Sequence, residues 1–159
     1  MAAPASTSRG TPVGYKFDDG FSTKIAFARG STASFWEKTV SPPGVDGGDE
    51  IDISTMHNTT WRTFAARNLK TLSPFQVTAA YDAAFYADTI NNLINQEGAI
   101  TCHFPDGSKL DFFGFLKSFE VGAHTEGEQP EVTLSIVPTN YDPVNRVEAA
   151  PVLTSVTGT

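Results

Sequence analysis

Only one cysteine, Cys102, occurs among the 159 residues, so there is no intrachain disulfide framework and no Cys-x-x-Cys pair to hold zinc. Charge is scarce as well. Asp, Glu, Lys and Arg make up 18% of the chain, where about 25% is usual for a globular domain. The charge present leans acidic, with 18 acids against 11 bases and a net charge of −7. An acidic chain repels phosphate at long range, which excludes a protein that grips duplex nucleic acid. No stretch approaches about 18 uninterrupted apolar residues, so no helical membrane span is expected. Met1 to Gly14 has no apolar centre, which excludes a signal peptide and implies a soluble product made inside the cell. No Gly-x-Ser-x-Gly elbow, His-Glu-x-x-His helix or phosphate-cradling glycine loop is present, so an enzyme is not expected.

What remains is a globular composition. Apolar residues reach 40%, 13 glycines are present, and the length suits one domain. A chain this poor in charge has little surface to give to water, which points to assembly. Period-2 alternation dominates. Strands are expected at Lys24 to Ala28, Phe35 to Val40, Ile51 to Thr55, Phe75 to Tyr81, Ile100 to Phe104, Lys109 to Val121 and Val132 to Ile136. Pro105-Asp106-Gly107-Ser108 is a turn that makes the fifth and sixth of these a hairpin. Asp82 to Asn95 breaks the pattern: Ala83, Tyr86, Ala87, Ile90, Leu93 and Ile94 form one helical stripe behind an Asp82 cap. The expected class is mainly β, a sandwich or barrel with one flanking α-helix. The domain spans residues 15–140, between a mobile arm at 1–14 and a tail at 141–159. Those ends either fray or order against a neighbouring subunit.

Strand Lys109 to Val121 is apolar on both faces. Alternation puts Leu110, Phe112 and Leu116 on one side, with Phe113, Phe115, Phe119 and Val121 on the other, so both sides need cover. Gly114 among those aromatics marks a bulge or a close backbone approach. Cys102 and His103 point to opposite faces of a strand and cannot share a ligand, which leaves Cys102 a small core residue. His57, His103 and His124 have no partner spacing. No metal and no cofactor is expected. The loop Ser41 to Glu50 contains Pro42, Pro43, Asp46, Asp49 and Glu50, and three readings stand for it: a calcium loop, though its spacing does not match a helix-loop-helix site; a solvated connector; or a docking loop. Trp61 and Phe64 either plug the end of a sandwich or, with Arg62, anchor a neighbouring subunit.

Ile51-Asp52-Ile53-Ser54-Thr55, Trp61-Arg62-Thr63-Phe64, the strand-helix-strand order from Phe75 to Phe104, and the run from Pro105-Asp106-Gly107-Ser108 through Phe112-Phe113-Gly114-Phe115 to Phe119-Glu120 together resemble the major tail protein, or tail tube protein, of long non-contractile-tailed bacteriophages. The resemblance covers about Lys16 to Val137. It implies a β-sandwich subunit with a flanking helix, hexameric rings stacked into a tube, and DNA as non-specific cargo in the lumen. It further implies a place in the virion tail after assembly in the host cytoplasm, and partners such as the tape measure, tail tip and terminator proteins. By the same resemblance Ser41 to Glu50 and both termini bridge successive rings. Trp61, Arg62, Phe113 and Phe115 are the candidate subunit anchors. Thr78, Thr101, Thr133 and Ser135, on the polar strand faces, are candidates for the lumen. The tubes of type VI secretion systems and tail-terminator rings are related possibilities. From another class, a monomeric ligand-binding β-barrel or sandwich module is the rival.

Overall fold

The alternating segments converge on one rolled antiparallel sheet, and the helix lies beside it. The computed structural model describes residues 23–28 and 36–155. The expected arm at Met1–Gly14, Phe35 of the second expected strand and the last four residues lie outside the described residues. In chain order the elements are β1 (Lys24–Phe27), β2 (Trp36–Val40), β3 (Val45–Asp46), β4 (Ile51–Asp52), β5 (Phe64–Ala65), β6 (Thr71–Leu72), β7 (Phe75–Ala80) and α1 (Ala83–Asp88). After a π-helical turn at Thr89–Leu93 come β8 (Gly98–His103), β9 (Lys109–Val121), β10 (Glu131–Pro138), β11 (Tyr141–Asp142), β12 (Val147–Glu148) and β13 (Val152–Thr154). The protein is mainly β with one short helix.

The main sheet runs β1-β8-β9-β10-β7-β2, with β13 also on β9. Its two end strands curl toward each other, with no backbone ladder between them among the described residues. Instead the Ile25 N–H donates to Glu37 Oε1 at 2.9 Å. Glu37 pairs with the fully buried Ala79 and so faces the core beside Cys102. Burial pushes the Glu37 carboxyl above its ordinary value, against the opposing hydrogen bond from Ile25 and the charge of Lys24. Ile25, Val77, Ile100, Cys102, Phe112, Leu116, Val132, Leu134 and Ile136 fill the interior.

Strand β9 departs from strict alternation. Its register against β10 passes from Ile136↔Leu116 to Ser135↔Ser118, so Lys117 is an extra residue. This bulge flips the parity of everything after it. Phe119 therefore sits opposite Leu134 and joins the core, and Val121 lies opposite Val132. The expectation that both share a face with Phe113 and Phe115 is corrected by that one residue. Gly114 marks a close approach, not the bulge. A Cβ there would lie 2.6 Å from the Val137 carbonyl oxygen and 3.1 Å from Pro138 Cα.

The helix occupies the expected segment but buries a different stripe. Phe85, Thr89 and Leu93 are buried, whereas Tyr86 and Ile90 are exposed. Thr89 can enter the core because its hydroxyl donates to the Phe85 carbonyl at 2.8 Å. Only the first half is α-helical, with Asp82 Oδ1 accepting from the Ala84 N–H. Tyr86 stacks on Phe119, ring centroids 5.1 Å apart.

From Tyr141 to Thr154 the expected tail carries three short strands that pair within this chain. The β10 ladder continues through the Thr139 N–H to the Phe113 carbonyl. The hairpin β11–β12 then bows out, and the chain returns as β13, pairing Val152↔Asp111 to Thr154↔Lys109 on the same edge of β9. In effect β10 and β13 are one strand with a hairpin inserted.

Two expected outcomes follow from this packing. Gly114→Ala should cost about 1–3 kcal/mol in urea unfolding, because the Val137 and Pro138 backbone must retreat. Gly44→Ala, with open space around it, should be neutral on this count. For Glu37 a raised folded-state pKa means stability that is present at acid pH and lost as pH rises through that pKa. The wild type should therefore lose stability relative to Glu37→Gln between the ordinary glutamate range and neutrality, as seen in paired melts across pH. Parallel curves would refute the seam's contribution.

Candidate functional site

The β2–β7 ladder does not stop at the sheet. The Ser41 N–H donates to the Gln76 carbonyl and the Ser73 N–H to the Gly44 carbonyl. The ladder then continues through Val45↔Leu72 and Asp46↔Thr71 to Ile51↔Ala65 and Asp52↔Phe64. The Ile53 N–H meets the Thr63 carbonyl. Residues 36–80 thus form one long hairpin whose distal part, from Ser41 to Leu72, leaves the body as a two-stranded arm. The expected loop Ser41 to Glu50 is the outgoing side of this arm and contains β3. Pro42 and Pro43 sit at its root, where the backbone N–H groups they lack are not needed in the ladder.

At the root Leu72 is buried in the core of the body, but beyond it an arm two strands wide has no second layer, so its apolar side chains stay in water. Val45, Ile51, Ile53, Met56, Trp61, Phe64 and Leu69 are all exposed. Trp61 is 80% exposed and Phe64 53%, so neither plugs the body. The tip is nevertheless ordered. Asn58 Oδ1 accepts from the Thr55 N–H at 3.1 Å, while its Nδ2 donates to the Trp61 carbonyl at 2.8 Å and Thr63 Oγ1 at 3.2 Å. Asp52 Oδ1 accepts from the Ser54 N–H, and hydrogen bonds from Ser54 lower its pKa. Arg62 approaches the other Asp52 oxygen at 3.8 Å. Midway the ladder slips: between Asp46↔Thr71 and Ile51↔Ala65 the return strand carries one residue more than the outgoing strand. Arg67 Nε spans this slip with a 2.7 Å hydrogen bond to the Asp49 carbonyl. Gly48, at φ +74°, leaves room for the Arg67 stem.

The second feature is the outward face of β8, β9, β10 and β7. Thr78 lies opposite Thr133, and Ser135 between Gln76 and Ser118. Thr101 stands two strands away on the same face, donating to Asp111 Oδ1 at 2.6 Å. All four proposed lumen residues therefore share one face. Phe113 and Phe115 are half-buried on it beside Val137. By strand alternation the face also carries Lys24, Lys38, Lys109 and Lys117 against Asp111, Glu120 and Glu131. Lys109 lies 3.5 Å from Asp111, and Lys38 lies 2.6 Å from Glu131. The face is thus polar, with one more base than acid, and not acidic as the overall charge suggests.

Nothing among the described residues gathers three His, Cys, Asp or Glu side chains that could hold a metal, and no described helix is long and apolar enough to cross a membrane. Cys102 is buried, its thiol pushed up to about 12 by burial and by the charge of Glu37. Sequence reasoning missed the inserted hairpin with exposed Val144 and Val147. The turn signal Asp142-Pro143 was there, but no long alternating run flanks it. It also missed Arg67 and Lys70, which become significant only once the arm pairs its strands.

No protein-family model matches the sequence, and no curated protein sequence matches it. Among solved structures, the chain is similar to one described as the tail of an empty GTA particle computed with helical refinement in C6 symmetry. Identity is 9%, the TM-score is 0.49, and the match covers 77% of this chain and 84% of that one. No residue role or assembly contact is carried over from it.

The tip geometry yields a paired expectation. Trp61→Ala should leave unfolding stability within about 0.5 kcal/mol of wild type, since the ring contributes nothing to the body. Asn58→Ala should raise hydrogen exchange at Thr55 and His57 by about fivefold while the β9 amides keep their protection. Equal loss of protection in β9 would show the tip and body to be one cooperative unit.

Proposed function

We propose that this protein is a structural subunit of a phage-type tail tube, assembling with copies of itself into rings that stack around a conduit for DNA. The observation that carries this reading is the Ser41–Leu72 arm: a hydrogen-bonded ribbon holding Trp61, Phe64, Ile51 and Ile53 out in water. A free monomer has no use for such a surface, and apolar side chains exposed on both faces of one ribbon suit a protein contact. Trp61 and Arg62 are residue types that anchor such contacts, and the Asn58 lacing reduces the entropy cost of docking them.

The polar face of β8, β9, β10 and β7 suits the lumen in this proposal. Duplex DNA carries one negative charge per ~1.7 Å, so a wall of unpaired lysines repeated along a tube would hold it. Threonine and serine hydroxyls offer no such grip, and Lys38 and Lys109 lie next to carboxylates; Lys24 and Lys117 are the two charges on this face that the DNA-retention test below probes. Phe113 and Phe115 sit where a neighbouring subunit would cover them. The sequence resemblance to tail tube proteins agrees with this arrangement. Tape measure, tail tip and terminator proteins are the partners it implies, and the virion tail is the location.

Negative-stain microscopy of the concentrated protein tests the reading directly. Tubes or stacked rings are expected. A variant with Val45–Thr71 replaced by a short glycine-serine turn should keep the β-sheet circular dichroism and the cooperative melt but remain monomeric. Wild-type protein that stays monomeric at all concentrations would favour the ligand-binding module, and single rings without stacking would favour a terminator-type ring. Assembled tubes should also release duplex DNA at low salt. Tight retention with a steep salt dependence would count against the conduit.

A further inference from the structure

The charges on the arm are sorted by strand. The outgoing strand carries Asp46, Asp49, Glu50 and Asp52 and no base, whereas the returning strand carries Arg62, Arg67 and Lys70 and no acid. The register places them at three matched heights. Near the root Asp46 lies opposite Thr71, next to Lys70. At the slip Arg67 reaches across to the Asp49 backbone. Near the tip Arg62 stands beside Asp52.

Pairing within one arm accounts for only part of this pattern. Asp52–Arg62, at 3.8 Å, is the arm's only ion pair among the described residues. The Asp46 carboxylate accepts from the Gly48 N–H at 2.8 Å. The carboxylates of Asp49 and Glu50 and the ammonium of Lys70 have no ion-pair partner among the described residues. The outer backbone edges of the arm are also unpaired, since β3 and β4 bond only to β6 and β5.

We propose that arms of neighbouring copies lie side by side and unstaggered, with the acidic outgoing strand of one against the basic returning strand of the next. This rests on the self-assembly reading above and names the contact. Arms pointing the same way bring an outgoing strand beside a returning one, so the new pair is antiparallel, as a β ladder allows. Equal heights then set Lys70 against Asp46, Arg67 against Asp49 and Glu50, and Arg62 against Asp52. A stagger would lose these matches. The contact is heterologous, head to tail, the type that closes into a ring. It also covers the ribbon edges, which otherwise invite uncontrolled pairing.

The test separates contacts between arms from contacts within one arm. Variant A carries Asp49→Lys and Glu50→Lys, so at the height of the slip its outgoing strand is as basic as its returning strand. Variant B carries Arg67→Glu and Lys70→Glu, so both of its strands are acidic. Circular dichroism and thermal melts check that each body is folded. At low ionic strength, where exposed charges are least screened, mass photometry and negative-stain microscopy should show each variant alone needing roughly tenfold more protein than wild type to assemble. An equimolar mixture of A and B should assemble near the wild-type threshold, because unlike arms can alternate. If the charges serve only within an arm, mixing cannot restore assembly, and that result overturns the proposal. It is overturned equally if A and B alone assemble as wild type does, although the tube reading then stands. Wild-type protein that never assembles would remove both.

Discussion

Strand β9 supplies hydrogen bonds to β8 on one edge and to β10 and β13 on the other, so the geometry of this one strand sets where every layer of the body lies. Its thirteen residues cannot stay regular while the sheet rolls. Two local devices reconcile length with curvature. Gly114 lets the β10 backbone approach to a distance that a Cβ would forbid, and the Lys117 bulge adds twist and resets which side chains face inward. Before the bulge Phe112 and Leu116 point to the core. After it Phe119 does, and there Phe85 and Tyr86 of the helix meet its ring. The helix is seated by the bulge as much as by its own apolar stripe.

A sheet rolled this tightly encloses a small interior. The core is built from the inward side chains of one sheet plus Leu72 at the arm's root and Phe85 and Leu93 from the helical segment, and nothing is left to cover the rest of a second ribbon. The hairpin that starts as β2 and ends as β7 therefore splits into two regimes. Its base is buried because it belongs to the sheet. Its distal part has good strand hydrogen bonding and no hydrophobic reward, a state that is marginal in isolation. The side-chain lacing at Asn58, Asp52 and Arg67 supplies local order where packing cannot. The exposed apolar surface is what a partner would then bury.

Much of the body was legible because buried strands in an antiparallel sheet obey period 2. Phe75 to Ala80, Gly98 to His103 and Glu131 to Pro138 fall within a residue or two of the alternating runs. The Pro105-Asp106-Gly107-Ser108 turn places Gly107 at φ +86°, where only glycine is unstrained. Parity beyond Lys117 was not legible, since a bulge is decided by the curvature of the whole sheet and not by local sequence. Nor was the helix face. Thr89 looks polar until its hydroxyl is seen returning to the Phe85 carbonyl, which shifts the buried stripe by one residue. The arm was half legible: Ile51 to Thr55 announced a strand, and Trp61 and Arg62 looked like anchors. The glycine-rich Ser41 to Glu50 concealed its strand because β3 is only two residues long and depends on Leu72 across the ribbon.

The acidity of the chain offers a last lesson about charge as a clue. The net charge is −7, yet the face carrying Thr78, Thr101, Thr133 and Ser135 holds four lysines against three acids. Position on the fold, not total count, decides what a passing polyanion would feel, because opposite charges 3–4 Å apart cancel within a Debye length of about 10 Å. Lys109 with Asp111 and Lys38 with Glu131 are such pairs. The acids left over lie elsewhere, four of them on one strand of the arm. There they lie off the face proposed for the lumen and on the strand proposed to meet a neighbouring arm.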